Sequence, residues 1–319
     1  MPTPESETAA RHAEAGTVEP WRVAISGASG MVGQALAGFL RAGGHTVVPL
    51  VRGGGEGIAW DPRAEKLDPA SLIGVDAVVH LAGEPISGRW SDEKKRRIVE
   101  SRELGTRLVA SAMAKALPGG GPRVLVSASA IGFYGDRGDA PVDEDSAAGD
   151  GFLAEVCQAW EDATEAAQRA GIRTVCVRIG VVLDPAGGAL AQMLTPFKAG
   201  VGGPVGGGDQ VMSWIGLGDL VAILHRAIWD DGLSGPVNAV TPHAVTNRQF
   251  AKTLGRVLRR PAFLPLPAAV VRGLFGEMGQ SLLLDGARVL PRRLEQRGHR
   301  FAHPELEGAL RDALGRASS

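Results

Sequence analysis

Three glycines near the start of the chain have the spacing of a phosphate-binding turn. Gly27, Gly30 and Gly33 follow the apolar run Val23–Ile25 and precede an apolar pattern of helical period that begins at Met31. This order predicts a strand, a tight turn and a helix start, which is the context that a dinucleotide-binding fingerprint requires. Gly27 would permit the turn, Gly30 would let the backbone approach a pyrophosphate, and Gly33 would let the helix pack closely on the strand.

The helix start itself is expected to face the anion. Unbonded N–H groups of Met31 and Val32 would point toward a phosphate, aided by the helix dipole, and Ser29 lies in the same turn. The alternative is an ordinary glycine-rich connection between a strand and a helix. Because the strand and the helix on either side fit the fingerprint, the sequence predicts a nucleotide cofactor.

The residue that follows the second strand favours NADP over NAD. An acidic residue there accepts a hydrogen bond from the ribose 2′-hydroxyl, whereas a basic residue accommodates a 2′-phosphate. This strand ends in LVRGGG, so Arg52 occupies its end and the first acidic residue is Glu56. A guanidinium suits a phosphate through charge-assisted, bidentate hydrogen bonds. A solvated surface arginine is the alternative reading.

These residues need strands that all end at one edge of a sheet. Short runs rich in Val, Ile or Leu alternate with helical patterns, which predicts an α/β fold with a parallel, doubly wound sheet of the Rossmann type. Pro49 in the second strand is awkward there, because proline cannot donate a ladder hydrogen bond. The predicted strands are 22–26, 46–51, 76–81, 123–127 and 173–178, and the predicted helices are 31–42, 92–116 and 151–170.

The chain divides into three parts. Residues 1–20 are expected to be a disordered tail, and residues 21–183 to form the cofactor-binding domain. Residues 184–319 are expected to form a smaller, mostly helical substrate lobe, from which part of 211–245 returns to the core of the cofactor-binding domain.

Composition excludes several classes of function. The chain is 44% apolar and 22% charged with a net charge of −1, so no basic surface recruits nucleic acid or anionic lipid. Two cysteines, Cys157 and Cys176, fit a reducing compartment, and the histidines and cysteines show no metal-ligand spacing. The first 20 residues lack the apolar core of a signal peptide, and no apolar run approaches the ~18 residues of a membrane span. We therefore expect a cytoplasmic protein without a metal, nucleic-acid or membrane partner.

A series of motifs resembles one protein family. The glycine spacing is G-x-x-G-x-x-G rather than G-x-G-x-x-G, and the match extends over residues 21–315. It resembles the extended short-chain dehydrogenases/reductases, in an atypical branch known as epimerase family proteins or NAD(P)-dependent epimerase/dehydratase-like oxidoreductases. The resemblance implies a family-specific C-terminal region over 265–315. The motifs are HLAGEPI (80–86), VSASAIGFYGD (126–136), CQAWE (157–161), VRIGVVL (177–183), MSWIGLGDL (212–220) and LPRRLEQRGHRF (290–301).

The resemblance also implies further cofactor contacts after the third strand. It places Leu81, Ala82 and Gly83 beneath the ribose on the nicotinamide side of the cofactor, and Glu84 at the edge of the site. The carboxyl end of a parallel strand is where ligands of such sheets bind.

The usual acid–base pair of this superfamily is missing. Its members use a Tyr followed four residues later by a Lys, which lowers the pKa of the Tyr so that it can exchange a proton with the substrate hydroxyl. Aligning Glu161 with the acidic residue often found there places Leu153 and Cys157 at the Tyr and Lys positions. Cys157 is disfavoured as a nucleophile, since a free cysteine is usually a small buried hydrophobic residue.

Two hydroxyls remain as catalytic candidates. Ser129 ends the fourth strand, where the family's catalytic hydroxyl lies, and Tyr134 is the only tyrosine of the chain. For Tyr134, a structural role that holds the loop through its hydroxyl is an equal alternative. Asp219 resembles a family position that caps the following helix, and we expect a structural role for it.

Three functions stay open. The first is an NADP-dependent oxidoreductase or epimerase that acts on a small hydroxyl- or carbonyl-bearing substrate between the lobes. The second is a non-catalytic NADP-binding sensor or regulatory protein, which would keep the cofactor turn without the Tyr and Lys. The third is a nucleotide-sugar epimerase or dehydratase, which is disfavoured because its ketone intermediates depend on the missing tyrosine.

Overall fold

The structure, a computed structural model, describes residues 20–316, so all but one residue of the expected N-terminal tail lie outside the described part. The strands are β1 Arg22–Ser26, β2 Thr46–Val51, β3 Ile58–Asp61, β4 Lys66–Leu67, β5 Ala77–His80, β6 Val124–Ala130, β7 Pro141–Val142, β8 Arg173–Ile179, β9 Val181–Leu183, β10 Val211–Met212, β11 Trp214–Gly216, β12 Gly235–Ala239, β13 Val245–Thr246 and β14 Arg288–Val289. The α-helices are α1 Met31–Ala42, α2 Asp92–Ala116, α3 Phe152–Asp162, α4 Glu165–Arg169, α5 Gly188–Lys198, α6 Leu217–Trp229, α7 Asn247–Leu258, α8 Ala268–Phe275, α9 Glu277–Gly279, α10 Arg292–Gln296 and α11 Leu306–Ala313.

The central sheet confirms the predicted fold class. Its order is β12-β8-β6-β5-β1-β2-β3-β4, and every neighbouring pair is parallel except β3 with β4. The chain winds outward from β1 in one direction through β2 and β3, and then in the other direction through β5, β6, β8 and β12. Ligands of such sheets bind outside the carboxyl ends of the strands, at the point where the order reverses. In this sheet that point lies between β1 and β5.

The apolar runs form strands because both faces of the sheet are covered. Val23 and Ile25 of β1 belong to the core that contains Leu36 and Leu40 of α1 and much of α6. Ala24, between them, belongs to the opposite core with α2 and α4. A strand buried on both faces reads as a continuous apolar run, as this one does.

Two details differ from what the sequence suggests. Pro49 is accommodated because β3 pairs with β2 only at Leu50 and Val51, the residues that follow the proline. The helix predicted over 151–170 is wrong as a continuous element, because it ends at Asp162 and α4 begins at Glu165. The hydroxyl of Thr164 donates to the carbonyl oxygen of Glu161 at 2.6 Å, a local bond that competes with the helical backbone pattern.

The second lobe has a core of its own and supplies one strand to the sheet. Side chains of α5, α7 and α11 pack around the fully buried Trp214. Gly235–Ala239 lie beside β8 as the last parallel strand of the central sheet. Within residues 20–316, no helix is long and apolar enough to cross a membrane, and no cluster of His, Cys, Asp and Glu side chains could hold a metal ion.

Candidate cofactor-binding and active site

The three glycines of the first turn differ in how far the fold requires a residue without a side chain. Gly27 has a φ of 70°, and a Cβ there would lie 3.0 Å from the backbone nitrogen of Ala82. A Cβ on Gly33 would lie 2.2 Å from the carbonyl oxygen of Gly27, so the helix can approach the turn only without a side chain. A Cβ on Gly30 would meet only that same oxygen, at 3.3 Å. The fold itself therefore requires glycine at positions 27 and 33. At position 30 the fold does not require it, so the open space there could accommodate a ligand.

The start of α1 offers unpaired donors to that space. Gly30 is the N-cap and contributes no capping side chain, and the first turn contains no acidic residue. The first helical hydrogen bond runs from the N–H of Gln34 to the carbonyl of Gly30. In the described part of the chain, no group accepts a hydrogen bond from the N–H groups of Met31, Val32 or Gly33. Free N–H groups and a helix dipole make this end of α1 suited to a phosphate, as the sequence predicts.

A cleft opens beside this helix start. It has a volume of about 560 Å³ and lies between α1, the beginning of α6 and the segment that follows β9. That segment crosses α1 closely, because a Cβ on Gly187 would lie 3.0 Å from the sulfur of Met31. The lining residues are Ser29, Met31, Gln34, Ala35, Asp184, Ala186 and Leu217.

Arg52 follows β2 at the same edge of the sheet. The register pairs Ser26 with Leu50, so the residues after each strand lie side by side. The Arg52 side chain is exposed, and within residues 20–316 it makes no hydrogen bond or ion pair. A free guanidinium beside the phosphate-binding turn is suited to a 2′-phosphate.

The turn after β5 is tied to the turn after β1 by two buried polar residues. The hydroxyl of Ser26 accepts hydrogen bonds from the N–H groups of Leu81 and Ala82, at 3.1 and 3.2 Å. It also lies 2.7 Å from Nδ1 of His80, whose ring is fully buried. Burial lowers the pKa of His80 to about 4, so the ring is neutral at pH 7. Each residue is the single polar residue that ends an apolar run, but no local pattern in the sequence predicts that the two form a pair.

Glu84, which follows the turn after β5, has its carboxylate engaged with α2. Its Oε1 is 2.8 Å from Nζ of Lys94 and 3.5 Å from Nε of Arg97. The hydrogen bond from Lys94 lowers the pKa of Glu84. A direct contact between Glu84 and the cofactor stays a prediction, as does the placement of Leu81, Ala82 and Gly83 beneath the ribose.

Ser129 belongs to a buried charged network that is not predicted by the local sequence. Its hydroxyl donates to Oε1 of Glu161 at 2.7 Å. Glu161 in turn accepts two hydrogen bonds from Arg178, at 2.8 Å each, and these side chains are only 14% and 4% exposed. Arg178 is the one charge inside the apolar run VCVRIGVVL. A charge in a buried strand needs a partner, and that was the available signal.

The burial and contacts of Tyr134 favour the structural one of its two predicted roles. The side chain is fully buried, and its hydroxyl donates to Oδ1 of Asn238 at 2.7 Å while it accepts from Nη1 of Arg178 at 3.0 Å. Burial raises its pKa to about 12. Because the hydroxyl is committed to protein partners away from solvent, the geometry does not support Tyr134 as the group that exchanges a proton with substrate.

The positions of the usual Tyr and Lys hold no acid–base group. Leu153 has an apolar side chain, and Cys157 is buried. Burial raises the pKa of the Cys157 thiol to about 11, which keeps it protonated and unreactive at pH 7. Ser129 is only 2% exposed and its hydroxyl donates to Glu161, so its contact with a substrate stays a prediction.

Comparison with known families identifies the class of protein. Residues 23–239, which make up most of the chain, match the NAD dependent epimerase/dehydratase family. The chain belongs to this family. Residues 266–313 match a further family, a domain of unknown function named DUF1731.

Members of the epimerase/dehydratase family resemble the chain over nearly all its length. An epimerase family protein of Mycobacterium bovis is 45% identical over 292 residues, which are 90% of this chain and 96% of the relative. The crystal structure of human epimerase family protein SDR39U1 (isoform 2) with NADPH has a TM-score of 0.84 and 38% identity, over 93% of this chain and 100% of that chain. A nucleoside-diphosphate sugar epimerase from Corynebacterium glutamicum has a TM-score of 0.77 and 38% identity, over 93% of this chain and 59% of that chain.

The C-terminal region of this epimerase/dehydratase family member binds the loop that follows Tyr134 through strand pairing and ion pairs. Strand β14 pairs with β7, and two successive arginines of the LPRR motif form ion pairs with the acidic loop. Arg292 lies 3.0 Å from Asp143, and Arg293 lies 3.0 Å from Asp145. The C-terminal region thus fixes the position of this loop.

Asp219 also holds the C-terminal region, and the expectation that it caps a helix is wrong. The N-cap of α6 is Gly216, and Asp219 lies within the first turn. Its carboxylate accepts hydrogen bonds from the N–H groups of Ala302, at 2.7 Å, and His303, at 3.1 Å. These bonds hold the segment that precedes α11.

Proposed function

We propose that this protein binds NADPH and exchanges a hydride between the cofactor and a small substrate with a carbonyl or hydroxyl group. The observation that carries the proposal is the turn after β1. There Gly30, which the fold does not require to be glycine, lies next to the unpaired N–H groups at the start of α1. The unpaired Arg52 guanidinium selects the phosphorylated cofactor. The NADPH in the human relative supports the same choice.

The free N–H groups at the start of α1 and the exposed Arg52 fit this cofactor. Met31, Val32 and Gly33 would donate to the pyrophosphate, and Arg52 would hold the 2′-phosphate. When bound, NADPH supplies the hydride that carbonyl reduction requires.

Ser129 is the proposed contact for the substrate oxygen. Its hydroxyl already donates to Glu161, so its lone pairs are free to accept a hydrogen bond from a substrate hydroxyl. In the oxidative direction, the substrate proton would pass to Oγ of Ser129 while the serine proton passes to Glu161. The two hydrogen bonds from Arg178 fix the orientation of the Glu161 carboxylate for this exchange. In the direction of reduction the same protons move back.

A screen of small carbonyl compounds, with NADPH oxidation as the readout, tests the proposal. With an active compound in hand, Ser129→Ala should lower kcat about a hundredfold, the usual scale for an acid–base group. Ser127→Ala is the matched control, because its hydroxyl lies two residues earlier on the same strand and donates to the carbonyl of Ala128. The control should keep wild-type turnover, whereas equal turnover in both variants would refute the role of Ser129.

A non-catalytic NADPH-binding protein is the second candidate. It is favoured by Leu153 and Cys157, which leave the usual acid–base positions without a titrating group. Tight NADPH binding, with no NADPH oxidation by any carbonyl compound and no reduction of NADP by nucleotide sugars, would select this function.

A further inference from the structure

Arg102 of α2 lies against the turn that follows β5. A Cβ on Gly83 would stand 3.4 Å from Cζ of Arg102 and 3.5 Å from both of its terminal nitrogens. In a doubly wound sheet, a dinucleotide extends across the reversal point with one half on each side. Arg52 marks the adenosine half beside β2, so the nicotinamide half lies over the carboxyl ends of β5 and β6. Arg102 therefore lies at the second half of the proposed cofactor site.

The guanidinium is fixed by one nitrogen and leaves one edge free. Nη1 donates to the carbonyl oxygens of Glu84, at 3.0 Å, and Ile98, at 3.2 Å. Cζ also lies 4.8 Å from the ring centroid of Trp160. In the described chain, Nε and Nη2 have no acceptor. These two nitrogens form the edge that donates two parallel hydrogen bonds to neighbouring oxygens.

No protein carboxylate forms an ion pair with this cation within residues 20–316. Glu84, whose charge does act on Arg102, directs its carboxylate to Lys94 and Arg97. The guanidinium is half-buried, and burial lowers its pKa. A partly buried cation with two unused donors is costly unless a ligand supplies the acceptors.

Arg102 also lies near a position where a cationic side chain is usual in the superfamily and is missing in this chain. The position of the lysine that is usual in the superfamily is occupied in this chain by Cys157, a neutral thiol. Arg102 is close enough to Cys157 for its charge to act on the thiol. The other arginine whose charge acts on Cys157 is Arg178, which is committed to Glu161 and Tyr134.

We propose that Nε and Nη2 of Arg102 bind the two hydroxyl oxygens of the ribose on the nicotinamide side of NADPH. This inference rests on the proposed NADPH binding and adds the residue that holds the half of the cofactor that reacts. A vicinal diol offers two neighbouring acceptors that match the free guanidinium edge. Arg102 thus supplies the fixed cation that the Lys position lacks.

Two ligands separate this role from a general effect on the fold. NADPH contains both halves of the cofactor, whereas adenosine 2′,5′-bisphosphate carries the 2′-phosphate but no nicotinamide ribose. Arg102→Gln should weaken NADPH binding about 10- to 100-fold, measured by calorimetry, and leave the affinity for adenosine 2′,5′-bisphosphate unchanged. Arg107→Gln is the matched control, since Arg107 lies on the same helix and pairs with Glu103 at the surface; it should change neither affinity.

The ratio of the two affinities decides the result. An unchanged ratio in Arg102→Gln would overturn the inference, and a substrate group would then be the partner of the free edge. If that variant does not fold, Arg102→Lys is measured instead. It keeps the charge but lacks the planar pair of donors, so a lower ratio is again expected and an unchanged one overturns the inference. Wild-type protein that binds neither ligand would refute the proposed function itself, which is a different outcome.

Discussion

The two glycines at positions 30 and 33 should respond to alanine in opposite ways. A Cβ at position 33 would lie 2.2 Å from the Gly27 carbonyl oxygen and 2.8 Å from the Cα of Ala28, both of which are backbone atoms of the turn. Neither atom can move as the end of a flexible side chain could, so the turn itself must shift. Overpacking of this kind costs about 3 kcal/mol, at the upper end of its usual range.

Part of that cost is offset by helix propensity. Gly33 lies in the first turn of α1, and alanine is better than glycine in a helix by about 1 kcal/mol. We therefore expect Gly33→Ala to lower the free energy of unfolding by about 2 kcal/mol. For a chain of 319 residues, with an unfolding entropy of about 2.1 cal/mol/K per residue, that corresponds to a fall in Tm of about 3 °C.

Gly30→Ala should instead fold and lose the cofactor. Its Cβ meets only one oxygen, at 3.3 Å, and its φ of −76° suits any residue, so the loss of stability should stay below about 1 kcal/mol. The added methyl would occupy the space in front of the free N–H groups, and NADPH should bind at least about tenfold more weakly. Urea denaturation and NADPH fluorescence titration measure the two quantities. Wild-type NADPH affinity in Gly30→Ala would place the pyrophosphate elsewhere, and an unchanged unfolding midpoint in Gly33→Ala would refute the close approach of helix and turn.

Three further predictions concern charge, pH and burial. Arg52→Ala should erase most of a preference for NADPH over NADH of about tenfold or more, the scale of a charge-assisted hydrogen bond, and equal wild-type affinities in calorimetry would contradict it. The folded pKa of His80, about 4, is below its unfolded value of 6.5, so its contribution to stability is complete above pH 6.5 and is lost as the pH falls toward 4. Between pH 7 and pH 5 the wild-type protein should lose about 2 kcal/mol of its free energy of unfolding through this residue. Urea denaturation of His80→Asn at the two pH values should lack this loss. Tyr134→Phe should lower the free energy of unfolding by about 1–3 kcal/mol, because Asn238 and Arg178 each lose a buried partner, while NADPH affinity stays at the wild-type value.

The elements of the proposed cofactor site could be predicted from the sequence because their signals are local. The apolar run, the glycine spacing and the helical period all lie between Arg22 and Ala42, and the structure forms β1 and α1 at those bounds. Arg52 was found in the same way, from its place directly after a strand. Each of these features depends on neighbours a few residues away, which is the range over which backbone preferences and side-chain period act.

The partners of the polar side chains depended on the tertiary structure. Ser129 was predicted as a catalytic hydroxyl, but its partner Glu161 lies 32 residues away in sequence, and the partner of Tyr134, Asn238, lies 104 residues away. Burial favours the structural role of Tyr134, because a buried hydroxyl must be paired inside the protein. Burial and pairing result from how α3, β6, β8 and β12 come together, and no local pattern of residues encodes that arrangement. The sequence thus determined where the cofactor turn lies, and the packing of the sheet determined which charged groups face one another.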